Sequence, residues 1–292
     1  MTETTTCTLD LPDAVLTYDV RMPATPGDVP ALFVLGSPMG ASGFAQLVEH
    51  LDDRPVITYD PRGVERSTLA TDGEVSVEIH AEDCHRVLEA ARAVVGAGPV
   101  DVFASSGGAV NALSWVARHP HELGTVVAHE PPLWALLEDR DVQAKAAADI
   151  VETYRRDGYG PAMAKFVQLV MEPEPLTEEY LRRPAPDPAA FGMPTEDDGS
   201  RDDLLLGRNM ATMPGFEPDL DALRTSTVRL VPARGEAGEG TMARRGAEAL
   251  AAALGAEPVE FPGDHGGFAA NEWSPGNDPA AFAARLRDVL AG

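Results

Sequence analysis

The segment Val100-Asp101-Val102-Phe103-Ala104-Ser105-Ser106-Gly107-Gly108-Ala109-Val110-Asn111-Ala112-Leu113 constrains this chain more than any other. A β-branched run passes into a helical pattern through a turn of small residues with a serine at its apex. Where strand and helix meet this sharply, the flanking residues must be small enough for the two backbones to approach. The apical residue is held in a strained conformation that lifts its side chain clear of the sheet. The frame is Ala104-x-Ser106-x-Gly108, and Ala in the first position adds only one methyl to the usual glycine. Taking Ser105 as the apex would put Phe103 in that frame, which is too bulky, so Ser106 is the candidate nucleophile. Gly107 follows it and opens the helix, so its N–H is a candidate oxyanion donor. A glycine-rich nucleotide-binding turn is the competing interpretation. It lacks both the G-x-G-x-x-G fingerprint and a P-loop lysine.

Around this turn, short apolar runs alternate with longer amphipathic segments, the signature of a parallel sheet built from βα units. Cys7–Leu9 and Ala14–Val20 are expected as antiparallel edge strands, and Ala31–Leu35, Val56–Tyr59, Val100–Phe103 and Gly124–His129 as buried strands. Helices are predicted over Ser42–Leu51, Val77–Val95 and Gly107–Arg118. The rhythm breaks after Glu130, where Val142–Arg156 and Pro161–Met171 are helical and no buried strand is evident. It resumes with strand Thr227–Val231, helix Met242–Leu254, strand Pro258–Phe261 and helix Pro279–Leu290. The predicted class is therefore α/β, a mostly parallel central sheet flanked by helices, with an inserted helical cap. Residues 1–132 and 222–292 form the core in this scheme, and 133–221 form the cap.

Charge narrows the partners. Acidic residues outnumber basic ones by 47 to 23, a formal net charge of −24, which repels phosphate backbones and anionic lipids. No nucleic acid and no membrane surface is expected as a partner, and no apolar run is long enough to span a bilayer. Cys7 and Cys84 are too few for a disulfide framework or a four-cysteine zinc site. Reduced thiols, and a polar N-terminus without a secretory pattern, lead to the expectation of a cytoplasmic protein.

With Ser106 placed, the chain resembles the α/β-hydrolase fold family. Tyr59-Asp60-Pro61-Arg62-Gly63-Val64-Glu65-Arg66-Ser67 is similar to the family's Y-D-x-R-G-x-G-x-S turn, with Glu65 in place of a glycine. Phe261-Pro262-Gly263-Asp264-His265-Gly266-Gly267-Phe268 looks like its late histidine loop. Ser106-Gly107-Gly108 and His129-Glu130-Pro131-Pro132 match segments of bacterial hydrolases of this type. The resemblance implies an acyl-transfer serine mechanism with His265 as general base, because His265 follows the serine in the family's chain order. His129 is the alternative base. His50, His80 and His85 are expected at the surface or core edge, and His119 and His121 at the end of the helix after Ser106.

The acid is less determined. The family's usual aspartate follows the strand Thr227–Val231, but here that loop is Pro232-Ala233-Arg234-Gly235-Glu236-Ala237-Gly238-Glu239, with Gly238 in the aspartate's place. Glu236 and Glu239 are nearby substitutes. Glu130, at the end of a framework strand and followed by two prolines, is the more rigid platform and is preferred. A second oxyanion donor is implied in Leu35-Gly36-Ser37-Pro38-Met39-Gly40, which resembles the family's H-G-x-P loop, aligned so that Ser37 supplies the N–H. An alignment placing Pro38 there would remove the donor.

Trp134, Leu137, Phe166, Leu169, Met171, Met210, Met213 and Phe216 are candidates to line a pocket, although core packing is the ordinary role for each. A cap over such a site suggests an apolar small-molecule substrate: a small or medium carboxylic ester, thioester or lactone. No metal-binding motif appears, so no metal and no cofactor is expected. A non-hydrolytic cyclase or lyase, or a silent ligand-binding protein, remains an alternative on the same fold.

Overall fold

The structure, a computed structural model, describes residues 3–25, 27–70, 73, 75–272 and 274–292. Among these, nine strands form one sheet. They are β1 (Glu3–Asp10), β2 (Ala14–Met22), β3 (Leu32–Leu35), β4 (Val56–Tyr59), β5 (Thr68–Leu69), β6 (Val100–Ser105), β7 (Leu123–His129), β8 (Arg229–Gly235) and β9 (Val259–Phe261). The order is β1-β2-β4-β3-β6-β7-β8-β9, with β5 beside β2. β1 and β2 form an antiparallel hairpin, β2 meets β4 antiparallel, and from β4 to β9 every pairing is parallel.

The parallel strands are buried on both faces, which is why they read as continuous apolar runs rather than alternating ones. Phe33 and Leu35 of β3 point into one core with Val102 and Ala104 of β6. Leu32 and Val34 point into the other with Phe103 and Val127. Helices α2 (Val77–Val95) and α3 (Gly107–Arg118) cover the first face, and α1 (Ala45–Glu49) and α9 (Pro279–Ala291) the second. The helix expected over Ser42–Leu51 is shorter and begins with a 3-10 turn over Ala41–Phe44.

Between β7 and β8 the chain is helical: α4 (Arg140–Asp157), α5 (Tyr159–Val170), the short α6 (Met210–Thr212) and α7 (Leu220–Thr225), with a π-helical turn Leu205–Asn209 before α6. α4 and α5 bury their apolar stripes with Trp134, Leu206 and Met210 in a third cluster. That cluster also takes in Met242, at the start of α8 (Met242–Leu254). No described helix is long and apolar enough to cross a membrane.

Candidate active site

Ser106 joins β6 to α3 with φ 56° and ψ −130°, a region that residues with a Cβ seldom occupy. Its N–H donates to the His129 carbonyl at 2.9 Å, so the turn is anchored on the neighbouring strand. The glycines after it are required by contact. A Cβ on Gly107 would stand 2.5 Å from the Ser37 carbonyl oxygen, and one on Gly108 would stand 2.7 Å from Gly36 Cα and the Leu35 carbonyl oxygen. The helix start thus packs directly on the loop after β3, and this is the physical content of the small-residue pattern in the sequence.

That loop brings Ser37, which is 4% exposed, to Gly107. The Gly107 N–H, at the first helical position, has no intrahelical acceptor. Buried Asp60 holds the loop by accepting the Ala41 N–H at 2.8 Å, and the same carboxylate takes the Arg66 Nε at 2.6 Å. Arg62 in turn forms a two-pronged pair with buried Asp83, both contacts 2.7 Å. The Tyr59–Ser67 turn is therefore a buttress for the Ser37 loop.

The Glu130 backbone begins beyond β7 at φ 48° and donates its N–H to the Ala233 carbonyl at 2.8 Å. Its carboxylate is 1% exposed. Oε1 accepts the Gly235 N–H at 2.9 Å, and Oε2 lies 2.6 Å from His265 Nδ1. Burial alone would raise the Glu130 carboxyl, but the His265 hydrogen bond, the nearby imidazoles and the Gly235 N–H bring it below its ordinary value. With a carboxylate as partner, Nδ1 carries the proton and Nε2 is left as the basic nitrogen. Among the described residues, the side-chain hydrogen bond of His265 is the one with Glu130, and none joins it to the Ser106 hydroxyl.

The His265 loop is braced by groups that sequence patterning did not single out. Asp264 accepts Gly266 N–H at 2.9 Å, Ser274 Oγ at 2.6 Å and Asn277 Nδ2 at 2.9 Å. Asn209, at the end of the π-helical turn, was also missed. It is buried, its Nδ2 lies 3.4 Å from Ser37 Oγ, and its Oδ1 has no protein partner. A polar residue at the helical spacing of an apolar stripe was the available signal.

The remaining candidates divide between the site, the core and the surface. Glu236 and Glu239 are exposed, and Glu130 is the carboxylate that meets His265. His129 is enclosed by Phe103, Phe261, Phe268 and Phe282, and neither ring nitrogen has a partner. Burial pushes it down to about 4, so it is neutral at pH 7. His80 is buried rather than at the surface or core edge, because the α2 face that carries it turns toward the sheet. Trp134, Leu137, Leu169 and Met210 pack within the third cluster with Phe166 against it, and Met171 is exposed. Met213 and Phe216 pack on the sheet core, with Met213 Cε beside Gly107. A cavity of about 580 Å³ lies beside Pro38, lined by Val64, Tyr159, Met163 and Leu205, and by acidic residues including Asp198 and Asp202.

Residues 30–200 match the α/β-hydrolase fold family. Over 290 residues the chain is 31% identical to the uncharacterized hydrolase YraK of Bacillus subtilis, covering 97% of this chain and 95% of that protein. The chain belongs to the α/β-hydrolase fold family. Among solved structures it is similar to a thermophilic esterase from Thermogutta terrifontis (TM-score 0.63, 16% identity, 99% of this chain and 98% of that one). It is similar also to the enol-lactonase from Burkholderia xenovorans (TM-score 0.62, 20% identity, 96% and 97%). A proline iminopeptidase-related protein from Thermus thermophilus matches with TM-score 0.63 and 21% identity, over 99% and 98%. These likenesses establish the fold.

Proposed function

We propose that this chain is a serine hydrolase cleaving a small or medium carboxylic ester, thioester or lactone through an acyl-Ser106 intermediate. The observation that carries the reading is the 2.6 Å contact of a buried Glu130 carboxylate with His265 Nδ1, Glu130 following directly on His129, whose carbonyl accepts the N–H of the strained Ser106. In this mechanism His265 Nε2 takes the Ser106 proton as Oγ attacks the substrate carbonyl. Glu130 orients the imidazole and stabilises its charged form. The Gly107 and Ser37 N–H groups receive the developing oxyanion. The imidazolium then gives its proton to the leaving alcohol or thiol. Water, activated by the same imidazole, releases the acid. No metal or cofactor enters any step.

The test combines a fluorophosphonate probe with a panel of p-nitrophenyl esters, thioesters, lactones and aminoacyl anilides. The reading requires labelling that is lost in Ser106→Ala and His265→Ala, and turnover of the ester-type substrates. Labelling with turnover of anilides alone would move the assignment to a peptidase. Labelling without any turnover would favour a non-hydrolytic reaction, and absence of labelling a ligand-binding role.

A further inference from the structure

At the far end of α3 from Ser106, about 18 Å along the helix axis at 1.5 Å per residue, four side chains from three elements converge. His119 closes α3, Glu82 and His85 lie one turn apart on α2, and Glu122 follows in the 3-10 turn Pro120–Glu122. The His85 and His119 rings are stacked with centroids 4.0 Å apart and planes 1° from parallel. Glu122 Oε1 lies 2.5 Å from His85 Nδ1 and 3.9 Å from His119 Nδ1, so one carboxylate serves the Nδ1 edges of both rings. The other Glu122 oxygen accepts Trp115 Nε1 at 3.0 Å, which fixes that carboxylate in place. On the opposite edge, His119 Nε2 lies 3.1 Å from Glu82 Oε2, while Glu82 Oε1 is 3.7 Å from Arg86.

The geometry points to a divalent transition-metal site formed by Glu82, His85 and His119, of the zinc, nickel or cobalt class. Two imidazoles and a carboxylate are a donor set suited to such ions. One ligand atom from each of the three lies within 4.8 Å of the others. Ligands at about 2.0–2.2 Å from a tetrahedral ion stand about 3.5 Å apart, so closing requires shifts of about 1 Å. The rings must also open from parallel to converging planes. Both rings are about a quarter exposed and have broad terminal torsions, so they can tilt until their in-plane lone pairs converge. Glu122 takes the part of the carboxylate that commonly receives the second N–H of a metal-bound histidine, fixing the tautomer that leaves Nε2 free. Sequence spacing hid the site because His119 comes from a different helix. A bound ion would clamp α2 to the end of the nucleophile helix, which makes its role structural and independent of the ester chemistry.

Chelator-treated full-length protein is titrated with Zn²⁺ by calorimetry and with Co²⁺ by visible absorption. The expected result is one ion per chain, a raised melting temperature and Co²⁺ ligand-field bands of a four- or five-coordinate site. Binding should vanish in His85→Ala and His119→Ala, and persist in His50→Ala, whose histidine is exposed elsewhere. Glu122→Gln should weaken it about 10–100-fold while leaving the stoichiometry at one. Should His119→Ala fail to unfold cooperatively, the isosteric Glu82→Gln gives the same reading, a loss of affinity and of the Co²⁺ bands. No saturable binding by the wild type, or binding unchanged in the histidine variants, overturns the site and leaves an ion-paired histidine stack.

Discussion

The Glu130 carboxylate bridges two segments that are far apart in the chain: Oε2 meets His265 Nδ1 at 2.6 Å while Oε1 accepts the Gly235 N–H at 2.9 Å. The second contact matters as much as the first. It locks the carboxylate on the end of β8, so the imidazole is oriented by framework rather than by a loop.

Glu130→Gln keeps the shape and removes the charge. Turnover on the best ester substrate should fall about 10⁴-fold with KM little changed, because the imidazolium loses its partner and the wrong tautomer becomes accessible. Glu236→Gln, at an exposed position, should stay within about twofold of the wild type. Steady-state kinetics on the two variants checks both halves of the prediction.

The sheet and the serine turn were legible in the sequence because both obey local rules. Two-faced burial produces continuous apolar runs such as Leu32–Leu35, and the close approach of α3 to the Ser37 loop demands Gly107 and Gly108. Rigidity is what favours Glu130 over Glu236 in the sequence, and the fold adds that Glu130 also takes the Gly235 N–H. Asn209 and the Asp264–Asn277 brace were not legible, since each gains its meaning from a contact made across the fold. The same is true of the acidic cavity wall near Pro38. Asp198 and Asp202 come beside Pro38 only through the fold.

Gly107→Ala tests the elbow packing. Its methyl would meet the Ser37 carbonyl at 2.5 Å, backbone that cannot yield without moving the proposed oxyanion donor. The expected loss is about 10²–10³ in kcat, the magnitude for one oxyanion donor. Gly108→Ala, which presses on the Leu35–Gly36 backbone, should instead show mainly as lost stability, about 1–3 kcal/mol by urea denaturation.

Two buried histidines set the acid limb of stability. In the unfolded chain His80 and His129 take a proton near 6.5, whereas burial holds each at about 4 in the fold. Between those values the unfolded chain binds more protons, so stability is full above about pH 6.5 and falls as the pH drops toward 4. Each group contributes a slope of about 1.4 kcal/mol per pH unit in that window. Glu130, held below its ordinary value, adds a further loss of stability at the acid end, below its unfolded value of 4.5. His129→Leu should roughly halve the slope between pH 6 and 4.5 in urea titrations. It should also keep turnover within about tenfold of the wild type, since the His129 ring packs on aromatic rings and its contact with Ser106 runs through the backbone carbonyl, which leucine keeps.

Asn277→Ala removes three contacts that brace the His265 loop: from Asp264 N–H at 3.3 Å, to Asp264 Oδ1 at 2.9 Å and to the Ala269 carbonyl at 3.1 Å. A small misplacement of the base lowers chemistry more than binding, so kcat should drop about 10–10²-fold with KM nearly constant. A larger change in KM than in kcat would instead assign Asn277 to the substrate pocket.

The proposed hydrolysis passes through acylation of the Ser106 oxygen, which rapid-quench intact-mass analysis with p-nitrophenyl acetate, followed by peptide mapping, reads out. One acetyl group per chain on the peptide containing Ser106, formed in the burst and absent in Ser106→Ala, is the predicted result. Ester turnover with no adduct at Ser106, or an adduct on another residue that persists in Ser106→Ala, would contradict it.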